Sequence, residues 1–359
     1  MKYVVTGGAG FIGSHIVEEL ARQDHEVVIL DNFFSGKKDN IRQFLRNKNV
    51  SFVNGSITDQ SLLLDACDRA DGIFHEAAVA SVPYSIEHPL ATNETNITGT
   101  LQVLNAARDC GVRKIVFASS SAVYGDDPRL PKTEEMLPVC LSPYAVSKLA
   151  GEHYMKVFSD LYGIKSVSLR YFNIFGPRQD PNSGYAAAIP RFIMKILNHE
   201  SPVIFGDGLQ TRDFVYVKDV VRANLLAMEN NENGICNVAC GNRINLLDLA
   251  SQMMKITGIT VPLVFEPARS GDVRDSYADI SRIHGIFGYD PEYSLETGLA
   301  ETIAWYRQRL QRVKSSKAGD SCRKEHLSGS SPARSRRSLL NSSSTVLQKK
   351  KTEGIVSRL

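Results

Sequence analysis

Tyr144 and Lys148 stand four residues apart in Tyr-Ala-Val-Ser-Lys, and three serines, Ser119, Ser120 and Ser121, close an apolar run upstream. On a helix, residues at that spacing project from one face, one turn apart. An ammonium beside a phenol favours the phenolate and pulls a pKa of about 10 toward neutrality. Such a tyrosine can act as a general acid/base on a hydroxyl or carbonyl, with a serine hydroxyl holding the same oxygen. The spacing alone recurs on many solvated helix faces, so the surrounding elements must decide whether it does chemistry.

Those elements alternate from the first residue. Apolar runs predict strands over 3–5, 27–30, 72–75, 114–118 and 166–170, with helices over 11–21, 90–109 and 144–162. Strand–helix alternation with continuous apolar strands predicts an α/β fold, a Rossmann-type doubly wound parallel sheet covered on both faces. After Arg170 the texture changes: Phe175-Gly-Pro177 and Gly206-Asp-Gly208 punctuate loops. Further strands are expected over 214–216 and 235–239. The reading is a nucleotide-binding domain over 1–170, rejoined by the chain near 211–240, and a smaller α/β substrate lobe from 171–210 and 241–312.

Of the 359 residues, 43% are hydrophobic and 23% charged, as in an ordinary soluble domain. No apolar run reaches the roughly 18 residues that span a bilayer, and the N-terminus does not read as a secretory signal. The scattered cysteines, with Cys236 and Cys240 the only close pair, make a poor zinc site. They read as free thiols in a reducing cytoplasm, with no metal. The net charge of +3 hides two regions. From Lys314 onward there are 11 Lys and Arg against 3 Asp and Glu, leaving 31 against 36 for the rest. The body is thus mildly acidic. The Ser/Lys/Arg-rich segment 313–359 is predicted to be a disordered tail, an idle solvated extension rather than a nucleic-acid contact.

Thr6-Gly-Gly-Ala-Gly-Phe-Ile-Gly13 follows the first strand and opens the first helix. In that context the glycines suggest dinucleotide binding. Gly7 permits the tight turn, Gly10 lets the backbone approach a pyrophosphate, and Gly13 lets helix and strand pack closely. Asp31, 18 residues after Gly13, ends the second strand. A carboxylate there accepts hydrogen bonds from ribose hydroxyls and repels a 2′-phosphate, which favours NAD over NADP. Lys37 and Lys38 in the following loop weaken that preference slightly.

Taken together, the glycine pattern, Phe74-His-Glu-Ala-Ala78, Ser119 to Gly125, Tyr144-x-x-x-Lys148 and Arg170-Tyr-Phe-Asn173 resemble the extended short-chain dehydrogenase/reductases. Among these the chain looks like the NAD-dependent UDP-sugar 4-epimerases, over residues 1 to about 312. The run from Gln179 through Tyr185-Ala-Ala-Ala-Ile-Pro190 looks most like epimerases of UDP-N-acetylhexosamines or their uronic acids. The resemblance implies Tyr144 as acid/base, Lys148 as its electrostatic partner and a ligand of the cofactor ribose, both residues thus also contacting the cofactor, and Ser120 with Ser121 as hydrogen-bond partners of the sugar oxygen at C4. It implies cofactor contacts from Phe11, Ile12, Asn32, Ser35, Gly36, Ser56, Ile57, Ala77, Ala78 and Asn96. Asn173, Arg212, Arg269 and Asp272 match substrate positions, where arginine forks pair with phosphate oxygens. Ser276 matches a gatekeeper beside the sugar, and a small residue there leaves room for an N-acetyl group. Ser56 departs from the pattern, because relatives often carry an aspartate that binds the adenine amino group.

The expectation is therefore an isomerase, an NAD-dependent 4-epimerase of a UDP-hexose working through a transient 4-keto sugar, and a homodimer. The UDP-sugar is N-acetylglucosamine/N-acetylgalactosamine or glucose/galactose in this reading. The alternatives are a UDP-glucuronate 4-epimerase, a sugar 4,6-dehydratase or decarboxylase, or a catalytically idle NAD-sensing scaffold. Dehydratase and decarboxylase relatives place an acid where this chain has Ser121 and Ala122.

Overall fold

The computed structural model describes residues 1–181, 187–268 and 273–327, with side chains described as far as 312. Seven strands form one all-parallel sheet: β1 (Lys2–Thr6), β2 (Glu26–Asp31), β3 (Val50–Asn54), β4 (Gly72–His75), β5 (Lys114–Ser120), β6 (Lys165–Tyr171) and β7 (Gly234–Val238). Their order is β7-β6-β5-β4-β1-β2-β3. The winding reverses between β1 and β4, and in open α/β sheets ligands bind at the carboxyl ends of the strands at that reversal. The loops there are the glycine turn after β1 and Glu76-Ala77-Ala78 after β4. Apolar side chains on both faces of the strands explain the parallel arrangement. One face packs with Ile16, Val17 and Leu20 of the helix Phe11–Arg22 and with Val220 and Ala223 of the helix Val217–Glu229. The other packs with Leu63, Val103, Leu104, Met155 and Phe158.

A third core, including Phe175, Ile193, Ile204, Tyr216, Met253 and Tyr306, lies among elements after β6. Both cores of the sheet and this third one belong to the compact unit Met1–Leu310.

Four details differ from the sequence reading. β3 is an edge strand whose short run, preceded by Asn49 and ended by Asn54, carries little signal. Phe214–Tyr216 pairs with Asn173–Phe175 in a separate two-stranded ribbon rather than with the main sheet. The helix expected over 90–109 is split into Pro89–Asn93, a π-helical turn Glu94–Thr98 and Gly99–Asp109. The wide turn lets the buried Asn96 side chain reach both Val79 and Ser147. The last helix, Leu295–Leu327, runs beyond the boundary set at 312. Lys, Arg, Ala and Glu favour helix, and no proline interrupts the sequence before Pro332. Arg269 and Asp272, and Tyr185 of the epimerase-like run, lie outside the described residues. No described helix is long and apolar enough to cross a membrane.

Candidate active site

The turn after β1 is built for close approach. Gly7 has φ +68°, and a Cβ there would stand 2.7 Å from the Ala77 nitrogen. A Cβ on Gly13 would stand 2.4 Å from the Gly7 carbonyl oxygen, so glycine is what lets the helix sit on the strand. Gly10 caps that helix, whose first turn carries no acidic residue. The exposed amides and the helix dipole there attract a phosphate. Gly7, Gly10, Phe11, Ile12, Gly13, Asp31, Asn32, Ser35, Ser56, Ile57, Ala77 and Ala78 line one cleft of about 250 Å³. These residues fit a dinucleotide: glycine backbone for the pyrophosphate, a carboxylate for the ribose and an apolar wall for the adenine.

Asp31 is buried, and both its oxygens accept backbone N–H groups, Oδ2 from Ala9 at 3.0 Å and Oδ1 from Phe33 at 2.7 Å. Burial raises its pKa, and these two bonds oppose the rise. The carboxylate is thereby fixed in orientation with lone pairs left for ribose hydroxyls. The lysines of the next loop have other partners: Lys37 pairs with Asp180 at 2.6 Å, and Lys38 lies over the Phe33 ring. Gly36 backs Asp31 from a neighbouring cavity. The Ser56 hydroxyl lies 2.8 Å from that of Thr58. Asn96 does not line the cleft. It holds the Val79 loop from behind, and its neighbour Thr95 reaches the surface of the cleft.

Tyr144 enters near the start of the helix Pro143–Tyr162. Ser142 caps this helix, Pro143 takes its first position, and the Tyr144 N–H donates to Ser85 Oγ at 3.1 Å. The Tyr144 phenol faces Ser120, the last residue of β5, whose Oγ accepts the Ala122 N–H at 3.2 Å. Ser121 follows in a short 3₁₀ turn. Lys148 is buried, donates to the Ala118 carbonyl at 2.8 Å and stands 5.9 Å from the centre of the Tyr144 ring. One expectation needs correction: the Tyr144 pKa is raised, not lowered. Burial is the main cause, the nearby Ser120 hydroxyl opposes it, and the charge of Glu76 adds to it. The Lys148 ammonium donates to Ala118 and lies over the Tyr144 ring.

Behind these residues lies a buried ion pair that sequence reasoning missed. Arg170 Nε and Nη2 donate to the two oxygens of Glu152, each at 2.8 Å, and Ser119 Oγ donates to Glu152 Oε1 at 2.5 Å. Glu152 is one turn beyond Lys148, so the pair ties the Tyr144 helix to β5 and β6. The i+4 spacing of Tyr144, Lys148 and Glu152 was its only signal in the sequence.

A second cleft, of about 390 Å³, is lined by Asn173 and Arg212 together with Arg191, Phe192, Phe205 and Gln210. Asn173 Nδ2 donates to the Asp213 carbonyl at 3.2 Å. Strand pairing sets Ser276 directly beside Arg212. Asn173 and Arg212, two positions expected to bind substrate, thus share a cleft with Arg191, Phe205 and Gln210, and Ser276 lies beside Arg212 on the paired strand.

The model of the family described as "NAD dependent epimerase/dehydratase family" matches residues 3–239. A putative UDP-glucose 4-epimerase of Methanocaldococcus jannaschii is 41% identical over 307 residues, covering 85% of this chain and 98% of that protein. A solved UDP-N-acetylglucosamine 4-epimerase from Methanobrevibacter ruminantium, in complex with UDP-N-acetylmuramic acid, is 42% identical with a TM-score of 0.83 and covers 86% and 98%. The UDP-glucose 4-epimerase of Thermotoga maritima, solved with UDP-glucose, is 40% identical with a TM-score of 0.82 and covers 86% and 100%. The chain belongs to the NAD-dependent epimerase/dehydratase family.

Proposed function

We propose that this protein is an NAD-dependent UDP-hexose 4-epimerase. The observation that carries the reading is the convergence of Tyr144, Lys148 and Glu76, with Ser120 at the end of β5, beside the dinucleotide cleft that Glu76 lines. Gly7, Gly10 and Gly13 hold the pyrophosphate of NAD, and Asp31 takes the adenosine ribose. NAD, when bound, supplies the hydride chemistry at C4 that makes and unmakes the 4-keto sugar. Tyr144 takes the proton from the C4 hydroxyl as its phenolate and returns it; because burial raises its pKa, that form would need the positive charge of the nicotinamide ring that bound NAD would bring beside it. Ser120 holds the same oxygen as its charge develops. Arg212 and Asn173 anchor the diphosphate, and Phe205 supplies an apolar face for the uracil ring. Ser276 leaves room beside the sugar, which extends the substrate range to UDP-N-acetylhexosamines. Ser121 and Ala122 supply no acid for water elimination or decarboxylation.

The protein acts as a homodimer in this proposal. Val146, Val157 and Leu161 are exposed along one face of the helix Pro143–Tyr162, and Leu90 is 85% exposed nearby in sequence to the π-helical turn. The free cysteines among the described residues fit a reducing cytoplasm.

The test is incubation with UDP-glucose, UDP-N-acetylglucosamine and UDP-glucuronate in parallel, each deuterated at C4, with NMR of the C4 configuration. Inversion with the label retained at C4 is expected. Migration of the label to C6, or net NADH, overturns the proposal.

A further inference from the structure

Glu76 is an ionisable residue of the cleft for which the proposed mechanism has no use. It follows β4 at the winding reversal and lines the dinucleotide cleft beside Ala77. Its carboxylate is held in place: Tyr171 Oη of β6 donates to Oε1 at 2.8 Å. Tyr171 Oη in turn accepts from Asn224 Nδ2 at 2.7 Å, and that amide also donates to the Val220 carbonyl. A clamp of this kind, from two further elements, fixes a charge in one place inside a half-closed cleft.

β4 and β5 pair in parallel with His75 beside Phe117, so Glu76 leaves β4 level with Ala118, whose carbonyl accepts Lys148 Nζ at 2.8 Å. From the helix Pro143–Tyr162 the titratable groups it meets are Lys148 and Tyr144, and from β6 Tyr171. Asn224, from the helix Val217–Glu229, is neutral. His75, its neighbour in β4, is buried between Thr6 and Thr100, and burial holds it neutral.

We infer that Glu76 is a positioning residue of the proton-handling set: its carboxylate is the counter-charge of Lys148 and governs the proton on Tyr144. The electrostatics agree with that placement. Burial pushes Lys148 down to about 8, and the Glu76 charge resists the fall. The same charge raises Tyr144. Burial pushes Glu76 itself up to about 7, while the Tyr171 bond and Lys148 hold it lower. Removing the charge therefore lets Lys148 lose its proton at lower pH. Tyr144 ionises at lower pH for the same reason. Both limbs of a pH–rate profile move in the acid direction together, whereas plain structural damage lowers the rate without moving the limbs.

The activity half of this inference rests on the epimerase reading; the titration half does not. The experiment uses the full chain with bound NAD and the variant Glu76→Gln, whose amide oxygen still accepts from Tyr171. Ultraviolet difference titration against Tyr144→Phe isolates the Tyr144 phenol from the other tyrosines. The midpoint is expected to fall by about one pH unit in Glu76→Gln, and the pH–rate profile with UDP-glucose or UDP-N-acetylglucosamine to move the same way. Glu76→Asp keeps the charge one methylene further back and lies between the two. Equal midpoints in all three proteins, or a uniformly lower rate with unmoved limbs, overturn the inference. If no UDP-sugar is turned over, the epimerase reading fails and the titration still decides the role of Glu76.

Discussion

Replacing Gly13 by alanine tests whether the close seating of the first helix is what binds NAD. The new Cβ would stand 2.4 Å from the Gly7 carbonyl oxygen and 2.9 Å from the Gly8 Cα, both backbone atoms. To reach even 3.0 Å the helix must withdraw by at least about 0.6 Å. An amide bond of normal length stretched by that amount sits at the edge of the useful range. Losing one or two charge-assisted bonds to the pyrophosphate, at about 1.5–3 kcal/mol each, weakens NAD binding by about tenfold to about 2 × 10⁴-fold. The helix keeps its dipole, so some affinity persists. The assay is the NAD content of purified protein together with a titration of added NAD. Gly111→Ala is the control: it also has positive φ, at +69°, but no atom lies within 4 Å of its Cβ. It should lose about 1–2 kcal/mol of stability through strain and keep its NAD. Full NAD content and unchanged affinity in Gly13→Ala would refute the packing argument.

Three further outcomes are expected. Tyr144→Phe keeps the ring and deletes the proton acceptor, so turnover falls by about 10²–10⁴ while NAD remains bound; activity near wild type would sink the assignment. Glu152→Ala leaves the buried Arg170 guanidinium uncompensated and should cost about 3–5 kcal/mol, read by denaturant unfolding, with loss below 1 kcal/mol as the contrary result. Ser276→Tyr places a ring beside Arg212 and is expected to raise KM for UDP-N-acetylglucosamine at least tenfold more than for UDP-glucose, as one or two obstructed contacts would. Equal effects on both sugars would remove Ser276 from the sugar pocket.

Much of the candidate cleft is legible in the sequence because it is local. Gly7, Gly10 and Gly13 act within one turn, and Asp31 closes the next strand, so spacing along the chain stands in for spacing in space. The helix bearing Tyr144 and Lys148 was legible for the same reason. The reading faltered where a side chain has a choice of partners. The expectation that Lys148 would lower the Tyr144 pKa treated the pair as isolated, whereas burial and Glu76 both act on the phenol and Lys148 binds the Ala118 carbonyl. A widened helical turn aims Asn96 at Val79, which lines the cleft, and at Ser147, a pairing that its spacing along the chain does not announce.

What the sequence by itself determined was the alternation of strands and helices, the glycine turn with its acidic partner, and the tyrosine–lysine–serine set. Each follows from backbone sterics or helical spacing, which act over a few residues. Only the tertiary structure decided which carboxylates stand behind the chemistry. Glu76 meets Tyr171 across 95 residues, and Ser276 comes to Arg212 through strand pairing. It also set the winding reversal that brings β1 and β4 side by side. Such contacts are fixed by the packing of the whole sheet, and no local pattern encodes a charge whose partner arrives from another element.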